Sequence, residues 1–421
     1  MNAILPFQPV EARVRLPKVV IINDFSVARG GATALALLSA RYLKEMGHEV
    51  TFISGDQGDA GELEQLGIKT VWLGGRKINE MNKLRAAKDG LFNQSAAQAV
   101  SDYIDAYDDD DTIYHMHVWS QILSPSVFDA LKRVAHRTFV HAHDFFLTCP
   151  NGALFDFREQ RPCPLTPSST ACLLKQCDKR AYLHKLWRFS RHSIVRRYFG
   201  PSVKWAGVVS LHPDMDALLK RGGMEGQRIV SVRNPAVAFS DERVTAEDND
   251  VFAFMGRIET GKGVDVLCAA ARQANVKLRV IGNFTENEDL RRQYPEVEFT
   301  GWVDRKDAKA HLKDVRALVM PSQFTEPFGL VAAEGSASGL PVVVSDTAVI
   351  AREVGEMGLG LATDVSSADS LAQSLKQMAE TPRSKIKAMS ETAFNARRTF
   401  ANTPQDWARG LQKLYLEAVA R

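Results

Sequence analysis

The chain has 421 residues, of which 45% are apolar and 24% charged, and its net charge is +3. That length exceeds one ordinary hydrophobic core and predicts two domains, and the composition excludes a disordered or collagenous chain. Five cysteines with no apolar leader in residues 1–17 are read as thiols of a cytoplasmic protein, free or peripheral at the inner face of a membrane; no segment approaches the apolar length of a membrane span.

Lys18-Val19-Val20-Ile21-Ile22-Asn23 carries hydrophobic residues on consecutive positions, the pattern of a strand buried on both faces of a parallel sheet. Asp24 to Arg29 form a loop, Gly30-Gly31 follow, and the periodicity predicts a helix from Ala32 to Met46 closed by Gly47, then a strand over 49–54. The unit is βαβ, with two glycines at a strand's carboxyl end, where open parallel sheets bind ligands. A plain turn and a close backbone approach to a phosphate or sugar both account for the pair. Further strands are expected over 70–72, 112–115, 138–141 and 206–210. The run Asp108 to Asp111 precedes a strand and reads as a solvated turn, not a metal site. His141 ends a strand and His143-Asp144 continue from it, so His143 is a candidate site residue; His115 and His117, at the neighbouring strand end, are weaker candidates for acceptor contact.

Cys149, Cys163, Cys172 and Cys177 lie in an irregular, proline-bearing insertion over 149–177, with 13, 8 and 4 residues between them. Four thiolates could hold a structural zinc there, but the spacing is loose, and unligated buried thiols are the other reading. From Lys175 to Lys204 there are nine Lys or Arg and one acid, Asp178. Leu183, Leu186, Trp187, Ile194 and Tyr198 share a helical face, which suits either a basic helix lying through 179–205 on an anionic membrane or core packing with a solvated basic rim.

Residues 237–250 turn polar and acidic and read as a linker. A second series follows, with strands over 251–255, 277–281, 297–299 and 317–320 and a helix from Val264 to Ala274. Two doubly wound α/β halves facing each other make a cleft. The expected limits are 1–238 and 239–384, with a helical segment over 385–421. In the second half, Gly256-Arg257-Ile258-Glu259-Thr260-Gly261-Lys262-Gly263 leaves its first strand with two cations among glycines, which suits a diphosphate; a solvated loop with a Glu259–Lys262 pair is the alternative.

The most informative stretch runs from Pro321 through Gln323-Phe324-Thr325-Glu326-Pro327-Phe328-Gly329-Leu330 to Glu334, and on to Gly339-Leu340-Pro341-Val342-Val343-Val344-Ser345-Asp346. Glu326 and Glu334 bracket a loop-to-helix junction, and Phe328, Gly329 and Leu330 supply amides between them, the layout of an anion site flanked by two hydroxyl-binding carboxylates. This segment resembles the paired-glutamate signature of the retaining family 4 glycosyltransferases of the GT-B fold. The resemblance implies two Rossmann-like domains facing across a cleft, with a C-terminal helix crossing back to the first, where Trp407 and Tyr415 would pack. It implies that Glu326 contacts the donor sugar, Glu334 the ribose, and the 328–330 amides, Arg257 and Lys262 the diphosphate. Gly30-Gly31 and His143-Asp144 match the family's loops in the first domain. Ala348-Val349 and Asn234-Pro235 depart from its pattern, so contacts from those loops are not carried over. The implied activity is retaining hexosyl transfer from a nucleotide sugar to a glycan or lipid-linked acceptor in exopolysaccharide, capsule or lipopolysaccharide synthesis, with no cofactor and no metal at the chemical step. Alternatives are a phosphorylase-like or donor-hydrolysing enzyme on the same fold, or a non-catalytic zinc-stapled binding module. No aromatic stacking platform supports a nucleic-acid partner for such a module.

Overall fold

The apolar runs become strands in the computed structural model, which describes residues 15–28, 30–59, 61–284, 289–395 and 400–420. The first half contains β1 (Lys18–Asn23), β2 (Val50–Ser54), β3 (Lys69–Trp72), β4 (Thr112–Met116) and β5 (Thr138–Ala142). A short hairpin follows, β6 (Phe155–Asp156) with β7 (Arg161–Pro162), then β8 (Gly207–Ser210) and β9 (Ile229–Ser231). The second half holds β10 (Val251–Met255), β11 (Lys277–Ile281), β12 (Glu298–Gly301), β13 (Val315–Met320), β14 (Val342–Ser345) and β15 (Gly360–Thr363).

The two large sheets run β3-β2-β1-β4-β5-β8-β9 and β12-β11-β10-β13-β14-β15, and their pairings are parallel. Strands such as β2, β5 and β13 are buried at every residue, as a sheet covered by helices on both faces requires. Strand order reverses between β1 and β4 and again between β10 and β13. At such a reversal the neighbouring connections leave on opposite faces and open a crevice at the carboxyl ends.

Thr403 Oγ1 accepts from the Asp406 amide at 3.1 Å and caps the last helix, Pro404–Val419, which carries its proline in the first turn. This helix packs on β4 and on the helix Gly31–Glu45, burying Trp407 and Tyr415 completely, so the chain returns to the first domain. The two crossings lie side by side: the Asn402 amide donates to Asn234 O and the Ala236 amide to Asn402 O, both at 3.0 Å. Across the halves, Arg233 Nη1 donates to Glu353 Oε2 at 2.7 Å, and Arg352 pairs with Asp214 at 3.0 Å.

The turn at Asp108 to Asp111 faces solvent, with Asp109 and Asp111 40% and 38% exposed, and Asp108, Asp109 and Asp111 pair with Arg137, Lys18 and Arg15 at 2.9, 2.6 and 2.8 Å and pin it to the starts of β1 and β5. One local expectation is corrected. The basic helix, Tyr182–Tyr198, turns Lys185, Arg191, His192 and Val195 inward and leaves Leu183 75% exposed. Leu186, Trp187, Ile194 and Tyr198 are half-buried, and most of the buried positions go instead to basic side chains that find partners. Arg191 Nη2 donates to Ser120 O at 2.7 Å between the Trp119 and Trp187 rings, and His192 meets Ser168 Oγ at 2.7 Å. Lys185 Nζ lies 3.4 Å from Cys172 Sγ and 3.3 Å from Cys177 Sγ. Cys149 Sγ meets Asn151 Oδ1 at 3.2 Å, and Asn151 Nδ2 meets Cys177 Sγ at 3.5 Å, so Lys185 and Asn151 stand among the thiols; Cys163 is half-buried.

Candidate active site

The second-domain crevice is built from the loops that leave β10 and β13. Gly263, at φ +70°, starts the helix Val264–Ala274, and a Cβ there would sit 2.1 Å from Pro321 O, so only glycine lets the two loops lie against each other. The Gln323 amide donates to Gly261 O at 2.9 Å and fixes their register. This brings Lys262 Nζ to 2.8 Å from Glu326 Oε2, which also accepts from Ser322 Oγ at 2.9 Å. The ammonium rests 4.7 Å from the centre of the Phe324 ring. Burial works to raise the Glu326 pKa, but Lys262, Ser322 and Arg257 outweigh it, and the carboxyl is held below its usual range. Arg257 is more open, 64% exposed, and pairs with Glu259 at 3.1 Å. The alternative pairing of Glu259 with Lys262 is therefore not the one adopted, because Lys262 reaches across to the neighbouring loop.

Gly329 starts the next helix, Leu330–Ala337, in the left-handed region at φ +78°. Phe328 is buried beneath that turn, and the amides of the first helical turn have no acceptor within the helix. The Val349 amide donates to Glu326 O at 3.1 Å, so the loop where the sequence departs from the family pattern still braces the Glu326 segment through its backbone. One turn into the helix, Glu334 is nearly buried, and its Oε1 accepts from Arg305 Nη1 at 2.7 Å. Burial dominates here: the Glu334 pKa is pushed up to about 7, with Arg305 opposing the rise. Arg305 also donates to Val237 O at 2.7 Å, tying the carboxylate to the linker.

The first domain supplies the opposite wall. Gly30 and Gly31 open the helix Gly31–Glu45 after β1, and a Cβ on Gly31 would lie 3.9 Å from Leu330 Cδ2, so the two helix starts face each other at contact distance. At Gly30 a Cβ would meet no described atom within 4 Å. His143 follows β5 and is half-buried, its Nε2 lying 2.9 Å from Nδ1 of His117. Burial keeps its pKa below the usual histidine range, so the ring is neutral at neutral pH. His115 and His117 are fully buried, which removes them as acceptor contacts. Asp24, at the end of β1, accepts from the Gln121, Ile122 and Leu123 amides at 2.7, 3.1 and 2.8 Å and shapes the loop after β4.

Sequence reasoning missed Arg305 and Asp24. Arg305 sits in a 3₁₀ turn with no motif around it. Asp24 was legible only as the first residue of the glycine loop. The site that results joins a cation, two carboxylates of opposite pKa tendency and a helix amino end in one domain to a glycine-edged helix start in the other.

The model of the family described as glycosyl transferases group 1 matches residues 238–396. Two uncharacterised proteins encoded in the cps region of Klebsiella pneumoniae are relatives. The 42.6 kDa protein is 23% identical over 78% of this chain and 84% of its own length, and the 41.2 kDa protein 28% identical over 28% and 34%. The chain thus spans about a third of the second of these. Among solved structures, sucrose-phosphate synthase from Thermosynechococcus elongatus superposes with a TM-score of 0.71 at 16% identity, covering 96% of this chain and 99% of that one. Anabaena Alr3699/HepE in complex with UDP-glucose gives 0.62 at 14% identity, over 96% and 99%. Residues 238–396 thus match the group 1 glycosyltransferase model, within a GT-B fold of two Rossmann-like domains.

Proposed function

We propose that this chain is a retaining glycosyltransferase that moves a hexose from a nucleotide sugar to a glycan or lipid-linked acceptor in cell-surface polysaccharide synthesis. The observation that carries the reading is the Lys262–Glu326 pair, 2.8 Å apart, beside the Gly329 helix start and Glu334 and across from Gly31. In this reading Glu334 accepts from the ribose hydroxyls and Glu326 from those of the sugar. The diphosphate lies against Lys262, Arg257 and the amides of Phe328, Gly329 and Leu330, with Gly30 and Gly31 leaving room for it. When the glycosidic bond to the diphosphate breaks, negative charge gathers on the leaving oxygens. Preset cations and amides stabilise that charge more than the ground state, which speeds the step without an added divalent ion. An acceptor hydroxyl attacks from the face the diphosphate leaves, with His143 lining the anomeric end. The cps-region relatives and the UDP-glucose complex of the Anabaena protein support the donor class and the setting.

Release of nucleoside diphosphate that requires both a nucleotide sugar and an acceptor tests the proposal. Turnover of donor with inorganic phosphate alone would replace it with a phosphorylase. Two peripheral parts of the reading have their own tests. A structural zinc on Cys149, Cys163, Cys172 and Cys177 would require the thiols to gather, since among the described residues they do not form a three-ligand group and the Lys185 ammonium stands against two of them; its sulfur-to-metal absorption should be lost in Co²⁺-substituted Cys172→Ser. A peripheral membrane contact through 179–205 is supported by exposed Leu183 and by Leu84 on the neighbouring helix Lys83–Leu91, and should appear as co-sedimentation with anionic but not neutral vesicles.

A further inference from the structure

Four imidazoles are stacked on one face of two adjacent strands. β4 and β5 pair Met116 with Val140, so the next residues, His117 and His141, fall side by side, with His115 and His143 two positions before and after on the same face. The rings of His115 and His141 are 5.1 Å apart, those of His117 and His141 5.0 Å, and those of His141 and His143 4.3 Å with planes 3° from parallel. His115, His117 and His141 are 0%, 1% and 2% exposed. The C-terminal helix closes over them: Tyr415 Oη lies 2.6 Å from His115 Nδ1, and the Trp407 ring is 6.5 Å from that of His141.

The polar atoms of this cluster are only half satisfied. His115 Nε2 is 3.2 Å from His141 Nδ1, and His117 Nδ1 is 2.9 Å from His143 Nε2. Nε2 of His117, Nε2 of His141 and the Trp407 indole nitrogen are buried with no hydrogen-bond partner. An unpaired buried polar atom costs about 1–3 kcal/mol, so two ring nitrogens left bare in a core of aliphatic and aromatic side chains call for a partner that the chain itself does not supply. One ring nitrogen from each of His115, His117 and His141 lies within 4.8 Å of the other two, close enough for one ion to collect all three after small ring rotations.

We infer that His115, His117 and His141 form a buried site for a borderline divalent cation of the zinc, cobalt or nickel class. Three imidazoles and no oxygen ligand exclude calcium and magnesium as natural occupants. The outer partners are in place as well. Tyr415 orients His115, and His143 orients His117, the anchoring that metal-bound imidazoles need. Trp407 offers its N–H to an accepting fourth ligand such as water. The ion would fasten the returning C-terminal helix over β4 and β5 and, through His117, set the ring of His143. It stands apart from the diphosphate cations and does not depend on the proposed sugar transfer.

The test is metal content and a cobalt spectrum on the full-length protein, comparing wild type with His117→Gln/His141→Gln, folded state being checked by circular dichroism. Wild type should carry one more equivalent of metal than the double variant. Its cobalt form should show visible d–d bands of a nitrogen-ligated ion that the variant lacks and that Cys172→Ser keeps. If the double variant does not fold, Co²⁺ or Zn²⁺ added to metal-stripped Cys172→Ser, which lacks the proposed four-cysteine site, must still raise its melting temperature with one-to-one saturation. Equal metal content in a folded variant, or no uptake and no thermal shift in stripped Cys172→Ser, overturns the site and leaves water on those nitrogens.

Discussion

Replacing Glu326 with glutamine separates a structural salt bridge from a substrate contact. The side chain keeps its shape and its contact with Ser322 but loses the charge facing Lys262, in a pair whose partners are 18% and 21% exposed. Fully exposed pairs contribute about 0.2–1 kcal/mol and hydrogen bonds to charged groups about 1.5–3, so this half-buried pair should contribute about 1–2 kcal/mol. For a domain of about 200 residues that lowers the melting temperature by roughly 2–8 °C. With a total stability of about 5–15 kcal/mol, such a loss leaves essentially all of the protein folded at 25 °C. A contact made only to the departing sugar should instead remove about 2.7–4 kcal/mol of transition-state stabilisation, a fall of about 10²–10³ in kcat. The assay is acceptor-dependent release of nucleoside diphosphate, with melting followed in parallel. A folded Glu326→Gln protein within about threefold of wild-type turnover would refute the assignment of Glu326 to the site.

Three further outcomes follow from the same geometry. Glu334, raised to about 7 by burial, accepts ribose hydroxyls best when ionised, so donor affinity measured by calorimetry should strengthen as pH rises through about 7, and Glu334→Gln should flatten that dependence. Gly329→Ala forces a methyl into the left-handed region 2.8 Å from Met320 Cε; it should lower stability by about 1–2 kcal/mol and raise the donor KM, whereas Gly358→Ala, which also has φ > 0 but meets nothing within 4 Å, should affect stability alone. Burial would raise the Glu353 pKa, but Arg233 and His212 more than reverse this, lowering it from 4.5 to about 2. Its folded pKa is depressed, so its contribution to stability is complete above pH 4.5 and is lost as pH falls through about 2, and Arg233→Ala should remove that part of the acid-unfolding profile.

Much of the scaffold was legible because a strand buried on both faces announces itself as consecutive aliphatic residues. β1, β10, β11 and the helix Val264–Ala274 fall where the pattern puts them, and the other expected strands shift by one or two residues. The edge strands β9 and β15 are short and polar at one end, and carry too few apolar residues to stand out. At the site, Glu326, Glu334, Gly329 and Lys262 were readable as a loop-to-helix pattern. Their pairing was not, because Lys262 meets Glu326 across 64 residues and Arg305 meets Glu334 from a turn without a motif. The histidine stack was hidden for the same reason. His115 touches Tyr415 across 300 residues, and only the return of the last helix brings them together. On the helix Tyr182–Tyr198 the hydrophobic pattern marked half-buried positions and missed the buried basic ones, since the pattern does not show the specific partners of a buried arginine or lysine.

The measurement that bears most directly on the central claim is the anomeric configuration of the product. Purified protein, a nucleotide sugar identified by thermal-shift screening and an acceptor glycan should give, by proton NMR, a new linkage with the configuration the sugar had in the donor, together with one nucleoside diphosphate per sugar moved. An inverted linkage, or donor consumption that needs phosphate rather than acceptor, would contradict it.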